Sequence, residues 1–130
     1  EIAEQITNLN LTENIFLVGE KKDLNPYLSE ANLYVDSSLR SGLSVAAIKA
    51  MEASLQIIMT DVGGARELTD NGKYGYLCEA KNSKALADLI EFCYKNKRYK
   101  STHSSEYVKK YFSDTTASKN IIDIYNEIFS

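Results

Sequence analysis

Apolar positions along this chain fall into two alternating rhythms. Ile15-Phe16-Leu17-Val18, Leu33-Tyr34-Val35 and Leu55 to Met59 are short, nearly continuous apolar runs. Such runs predict strands covered on both faces. Between them lie stretches with helical spacing. Glu1 to Leu9 carries Ile2, Ile6 and Leu9 on one face. Asp23 to Ala31 predicts a helix, with the only proline, Pro26, in its first turn, where a missing N–H is tolerated. Leu43 to Ala53 predicts another. A short helix from Ala65 to about Thr69 ends at the Asn71-Gly72 turn signal. Tyr74 to Cys78 reads as a last short strand. Ser83 is the expected cap of a helix with Leu86, Leu89, Ile90 and Cys93 on its apolar face. Ser104 to Phe112 and Ala117 to Phe129 complete a helical tail running from about 101 to 130.

Strands that alternate with helices require parallel pairing through crossover connections. The expected architecture is one three-layer, Rossmann-like α/β domain over residues 1–130, its parallel sheet flanked by helices. No repeat, low-complexity segment or internal linker interrupts it.

Composition narrows the function classes. Hydrophobic residues make up 44% and charged residues 25% of the chain, as in ordinary globular domains. A net charge of −3 argues against nucleic acid, which needs a basic face. No run approaches the roughly 18 apolar residues of a membrane span. No signal peptide is visible, and a cytoplasmic location is expected. The chain opens on Glu1-Ile2-Ala3-Glu4, already helical in pattern, which suggests a piece of a longer protein. Cys78 and Cys93 have neither metal nor redox spacing and read as two reduced thiols. His103 is the only histidine, so a zinc site and a Ser/His/Asp triad both lack support. No metal and no cofactor are expected.

Candidate chemistry sits at two strand–glycine–helix junctions. The first is Ser41-Gly42-Leu43-Ser44, leading into an apolar helix. The second is Thr60-Asp61-Val62-Gly63-Gly64, followed by Glu67. Helix N-termini present unpaired N–H groups and the positive end of the helix dipole, and α/β folds bind phosphorylated ligands there. Gly42 has no Cβ to block close approach, so the amides of Gly42 and Leu43 can face a diphosphate. Gly63-Gly64 also fits a tight turn that needs positive φ and nothing more. Lys49 has two readings. Its side chain leans toward the helix N-terminus and the phosphates there, or it pairs with Glu67 or Glu52. Tyr94, Tyr99, Tyr107 and Tyr111 lie far from the glycine turns in sequence, and amphipathic packing accounts for them better than sugar stacking.

These residues resemble a known family. Ile15-Phe16-Leu17-Val18-Gly19, Tyr34-Val35-Asp36-Ser37-Ser38, Ser41-Gly42-Leu43-Ser44, Ala50-Met51, Thr60-Asp61-Val62-Gly63-Gly64, Glu67 and Asn71-Gly72-Lys73-Tyr74-Gly75-Tyr76-Leu77 follow one another in a characteristic order. From Asn14 to about Ala80 the chain resembles the carboxy-terminal, nucleotide-sugar-binding half of GT-B glycosyltransferases of the retaining family four. The resemblance implies the C-terminal half of a GT-B fold, truncated at its N-terminus. It implies a fragment of an enzyme that moves a sugar from a nucleotide-diphosphate donor to a glycan or lipid acceptor. The substrate-binding residues it implies are Ser41, Gly42, Leu43, Ser44, Lys49, Gly63, Gly64 and Glu67. No catalytic residue is assigned, and this chain alone is expected to be inactive. The implied partners are the donor, held weakly, and the missing amino-terminal domain of the same protein. A membrane surface that the parent touches peripherally is a further implied partner.

One departure stands out. The family carries a Glu, seven residues, then a second Glu; Ser41 and Lys49 occupy those places here. In the family the first contacts the donor sugar and the second accepts from the ribose hydroxyls. Serine keeps one weak contact and lysine has no acceptor. A glycosyltransferase-like scaffold that has lost donor chemistry is therefore the alternative reading.

Overall fold

The computed structural model describes residues 1–129. In chain order the elements are α1 (Ile2–Asn8), α2 (Asn25–Glu30), β1 (Leu33–Asp36), α3 (Val45–Glu52), β2 (Gln56–Thr60), α4 (Ala65–Thr69), β3 (Tyr76–Cys78), α5 (Ser83–Lys95), α6 (Thr102–Tyr111) and α7 (Asp114–Phe129). The three strands form one parallel sheet in the order β1-β2-β3. Helices α3 and α4 make the two crossovers that parallel neighbours require. The expected α/β architecture, a parallel sheet flanked by helices, is what the chain adopts.

Strand β2 shows why the sheet needs covering on both sides. Ile57, Ile58 and Met59 are all buried. Ile57 and Met59 join Ala47, Ala50, Met51, Leu68 and Val108 in the main apolar cluster. Ile58 lies outside that cluster, as the period-2 alternation of a strand demands. Helix α5 packs against β2 and β3, and its Cys93 is fully buried. Helix α6 packs on α3, and Ser105 donates to the Glu52 carbonyl at 3.1 Å.

One expected strand does not form. Ile15 to Val18 belongs to no sheet, and the four side chains are 44–72% exposed. An apolar run becomes a strand only when a neighbour takes its N–H and C=O groups. Strand β1 pairs with β2 alone and its other edge is open, but the Ile15 amide is turned back onto the Leu11 carbonyl at 2.9 Å and residues 15–18 are not laid against that edge.

Other boundaries shift for local reasons. Asn82, not Ser83, caps α5, its Oδ1 accepting from the Ala85 amide at 3.0 Å. Ser101 caps α6, so that helix starts earlier than expected. Helix α7 begins at Asp114, where Ser113 Oγ accepts from the Thr116 amide at 3.2 Å. Among the described residues, no helix is long and apolar enough to cross a membrane.

Candidate functional site

Both glycine junctions follow the carboxyl ends of their strands, and the fold brings them into contact. The Gly64 amide donates to the Gly42 carbonyl at 3.2 Å. Gly63 has φ +53, and a Cβ there would stand 1.7 Å from the Ser41 carbonyl oxygen. Only glycine permits this approach. A Cβ on Gly64 would meet Leu43 at 3.2 Å. Ser41, Gly42, Leu43, Gly63 and Gly64 thus form one backbone cluster.

Gly42 differs from Gly63 in kind. A Cβ at Gly42 would meet nothing within 4 Å. Packing does not explain this glycine, and its backbone stays open to an approaching ligand. The neighbouring loop is held from within. The Ser38 amide and hydroxyl both donate to Asp36, and the Thr60 hydroxyl donates to the Ser38 carbonyl. These bonds tie the end of β1 to the end of β2.

Ser44 is the N-cap of α3, its Oγ accepting from the Ala47 amide at 3.3 Å. The amides of Val45 and Ala46 precede the helical ladder and have no intrahelical acceptor. Tyr34 lies beneath this turn. Burial raises its phenol pKa most; the Ser44 hydrogen bond lowers it and the Asp36 charge raises it. Helix α4 adds less. It has five residues, and the Ala65 amide is already taken by the Val62 carbonyl at 3.1 Å. Asp61 beside it is paired with Arg66.

Lys49 takes neither ion pair expected of it. Among the described residues it makes no salt bridge to Glu67 or Glu52. It lines a groove of about 530 Å³ with Val45, Glu52, Phe112 and Asp114, between α3 and the start of α7. Glu67 is exposed on α4, and its carbonyl accepts from the Tyr107 hydroxyl at 3.1 Å. Tyr107 is therefore close to the second junction in space, contrary to its distance along the chain. Tyr107 stacks on Tyr74 with centroids 4.3 Å apart, while Tyr94 and Tyr111 stay 71% and 53% exposed. Packing accounts for Tyr107, and the Tyr111 ring rests against it with centroids 5.0 Å apart.

Residues that the sequence did not single out also reach the carboxyl edge. Lys81, Asn82 and Leu86 line a pocket of about 160 Å³ with Ser37, Leu39 and Thr60. Lys81 has φ 65 just before the α5 cap. The cap pattern at Asn82 is the signal that could have placed this turn at the strand ends. Cys78 and Cys93 are free and buried, and burial raises both thiols; the Arg98 charge partly offsets this for Cys93. No group of three metal-ligating side chains occurs among the described residues.

Comparison with known proteins fits this geometry. Residues 1–96 match the family described as glycosyl transferases, group 1. An uncharacterised glycosyltransferase of Methanocaldococcus jannaschii is 34% identical over 98 residues, covering 75% of this chain and 21% of that protein. A glycosyltransferase from Rickettsia africae superposes with a TM-score of 0.90 at 24% identity, over 99% of this chain and 36% of the other. HepE of Anabaena, solved in complex with UDP, superposes with a TM-score of 0.87 at 22% identity, over 97% and 36% of the two chains. The chain spans about a fifth of the length of the archaeal relative. Its architecture is that of the carboxy-terminal half of a GT-B glycosyltransferase, and the chain belongs to the group 1 glycosyl transferases.

Proposed function

We propose that this chain is the donor-binding half of a glycosyltransferase that moves a sugar from a nucleotide-diphosphate donor to a glycan or lipid acceptor. The observation that carries this reading is the open backbone at Gly42, at the start of α3 and braced by Gly63-Gly64. The diphosphate lies against the Gly42 and Leu43 amides and the first turn of α3, where unpaired N–H groups and the helix dipole favour negative charge. Ser41 faces the donor sugar, Ser44 holds the helix end in shape, and Glu67 borders the second junction. The binding of UDP by HepE supports a uridine or related donor. A preceding amino-terminal domain of the same protein supplies the acceptor side, and the parent works in the cytoplasm at a membrane surface.

A second reading rests on Ser41 and Lys49, which stand where the family carries its glutamates. A scaffold that no longer holds a donor would also retain the fold and both junctions. Donor affinity of the protein carrying this chain separates the two, measured for the wild type, Lys49→Glu and the Ser41→Glu/Lys49→Glu double variant. A carboxylate that accepts ribose hydroxyls should raise affinity about tenfold or more. A fall with Lys49→Glu would mean that the ammonium contacts the phosphates. No change in either variant favours the scaffold.

A further inference from the structure

We propose a second anion site, for a phosphate group, at the end of the sheet opposite the glycine junctions. A groove of about 330 Å³ opens beside Gln56 and Tyr76, the first residues of β2 and β3. The glycine junctions follow the other ends of β1 and β2, so at about 3.3 Å per residue the length of β2 separates the two places.

Four basic side chains line this groove, Lys73, Arg98, Lys100 and His103, and no carboxylate does. In a chain of net charge −3 that segregation needs a reason. They come from two segments whose backbones are fixed, the turn at Lys73 and the stretch from Arg98 to His103. Arg98 follows α5, and its amide donates to the Cys93 carbonyl at 2.9 Å. Lys100 lies between two cross-links, Gln56 N–H to the Tyr99 carbonyl at 2.9 Å and Ser101 N–H to the Ser54 carbonyl at 2.8 Å. Lys73 sits in the turn before β3, held by the Tyr74 amide on the Thr69 carbonyl at 2.9 Å. His103 and Thr102 open α6, where the first-turn amides have no intrahelical acceptor.

Acids stand beside two of these side chains and, among the described residues, leave Arg98 and Lys100 without an acidic partner. Asp70 is 3.6 Å from Lys73, and Glu106 is 3.7 Å from His103. Arg98 and Lys100 make no salt bridge among the described residues; the Arg98 guanidinium lies 5.9 Å from the Phe92 ring. Arg98, Lys100 and the first residues of α6 along one groove suit a tetrahedral oxyanion with several acceptors. The phosphate can come from a free phosphorylated metabolite or from a lipid headgroup.

Two arms test this. In the first, inorganic phosphate is titrated into the protein at constant ionic strength while backbone amide resonances are followed. The amides of Gly75, Thr102 and His103 should shift and saturate. The Arg98→Gln/Lys100→Gln variant should weaken the effect about tenfold or more. The Lys95→Gln/Lys97→Gln variant, equal in charge change but outside the groove, should leave it unaltered. In the second arm, vesicles of phosphatidylglycerol are compared with vesicles of phosphatidylcholine. Binding to the anionic vesicles that depends on Arg98 and Lys100 assigns the phosphate to a headgroup. Saturable binding of inorganic phosphate without vesicle binding assigns it to a soluble ligand. If phosphate shifts no groove amide, shifts only those of residues 41–46, or binds both double variants alike, the proposal is wrong.

Discussion

Gly42 and Gly63 occupy equivalent places after β1 and β2, yet they do opposite jobs. Gly63 is required by the fold: its φ of +53 and its 1.7 Å approach to the Ser41 carbonyl leave no room for a side chain. Gly42 is outside the left-handed region and has open space where a Cβ would go. A glycine that neither turn geometry nor packing explains is the better candidate for ligand approach. The second junction serves the first as a buttress. Its own helix is five residues long and its leading amides are already bonded, so it has little left to offer a ligand.

The comparison can be broken at Gly63. Gly63→Val should cost the fold about 4 kcal/mol or more, because left-handed backbone penalises a branched residue and the Ser41 carbonyl must move. Denaturant unfolding checks it; a variant that melts like the wild type would mean that the junction is loose. A smaller effect is expected at the cap of α3. Ser44→Ala removes the acceptor for the Ala47 amide and should cost about 1 kcal/mol. Thermal melts read this, and an unchanged transition would remove Ser44 from the account of the helix end.

The smallest effect concerns the sulfurs. The thiolate is the reactive form, and burial moves both thiols away from it. A thiol reagent at neutral pH should label native Cys78 and Cys93 far more slowly than the denatured chain. Equal rates would place the sulfurs at an accessible surface.

Much of this was readable in the residues. The β2 run and the apolar spacing of α3 carried their own signal, because local periodicity and burial agree there; β1 and α5 also form where the pattern put them, although Val35 and Ile90 stay exposed. Ile15 to Val18 did not, because strand formation depends on a neighbour that no local pattern supplies. The two glycine junctions were equally visible, and a positive-φ turn at Gly63-Gly64 was one of the readings the sequence allowed. Sequence shows that Gly63 lacks a Cβ; only the fold shows the Ser41 carbonyl in its place. The surroundings of Lys49 were not legible either, since the groove it lines is completed by Phe112 and Asp114 from a distant part of the chain. The basic groove at the opposite sheet end was not singled out because Lys73 joins Arg98, Lys100 and His103 only through the fold.

The proposed donor site requires that Gly42 serve a ligand and not the fold. Gly42→Val in the protein carrying this chain tests it, with UDP and GDP titrated by calorimetry and unfolding measured on the same sample. The account predicts a melting transition close to that of the wild type, within about 0.5–1 kcal/mol of stability, together with loss of nucleotide binding. A variant that fails to fold, or one that folds and binds nucleotide as the wild type does, would contradict it.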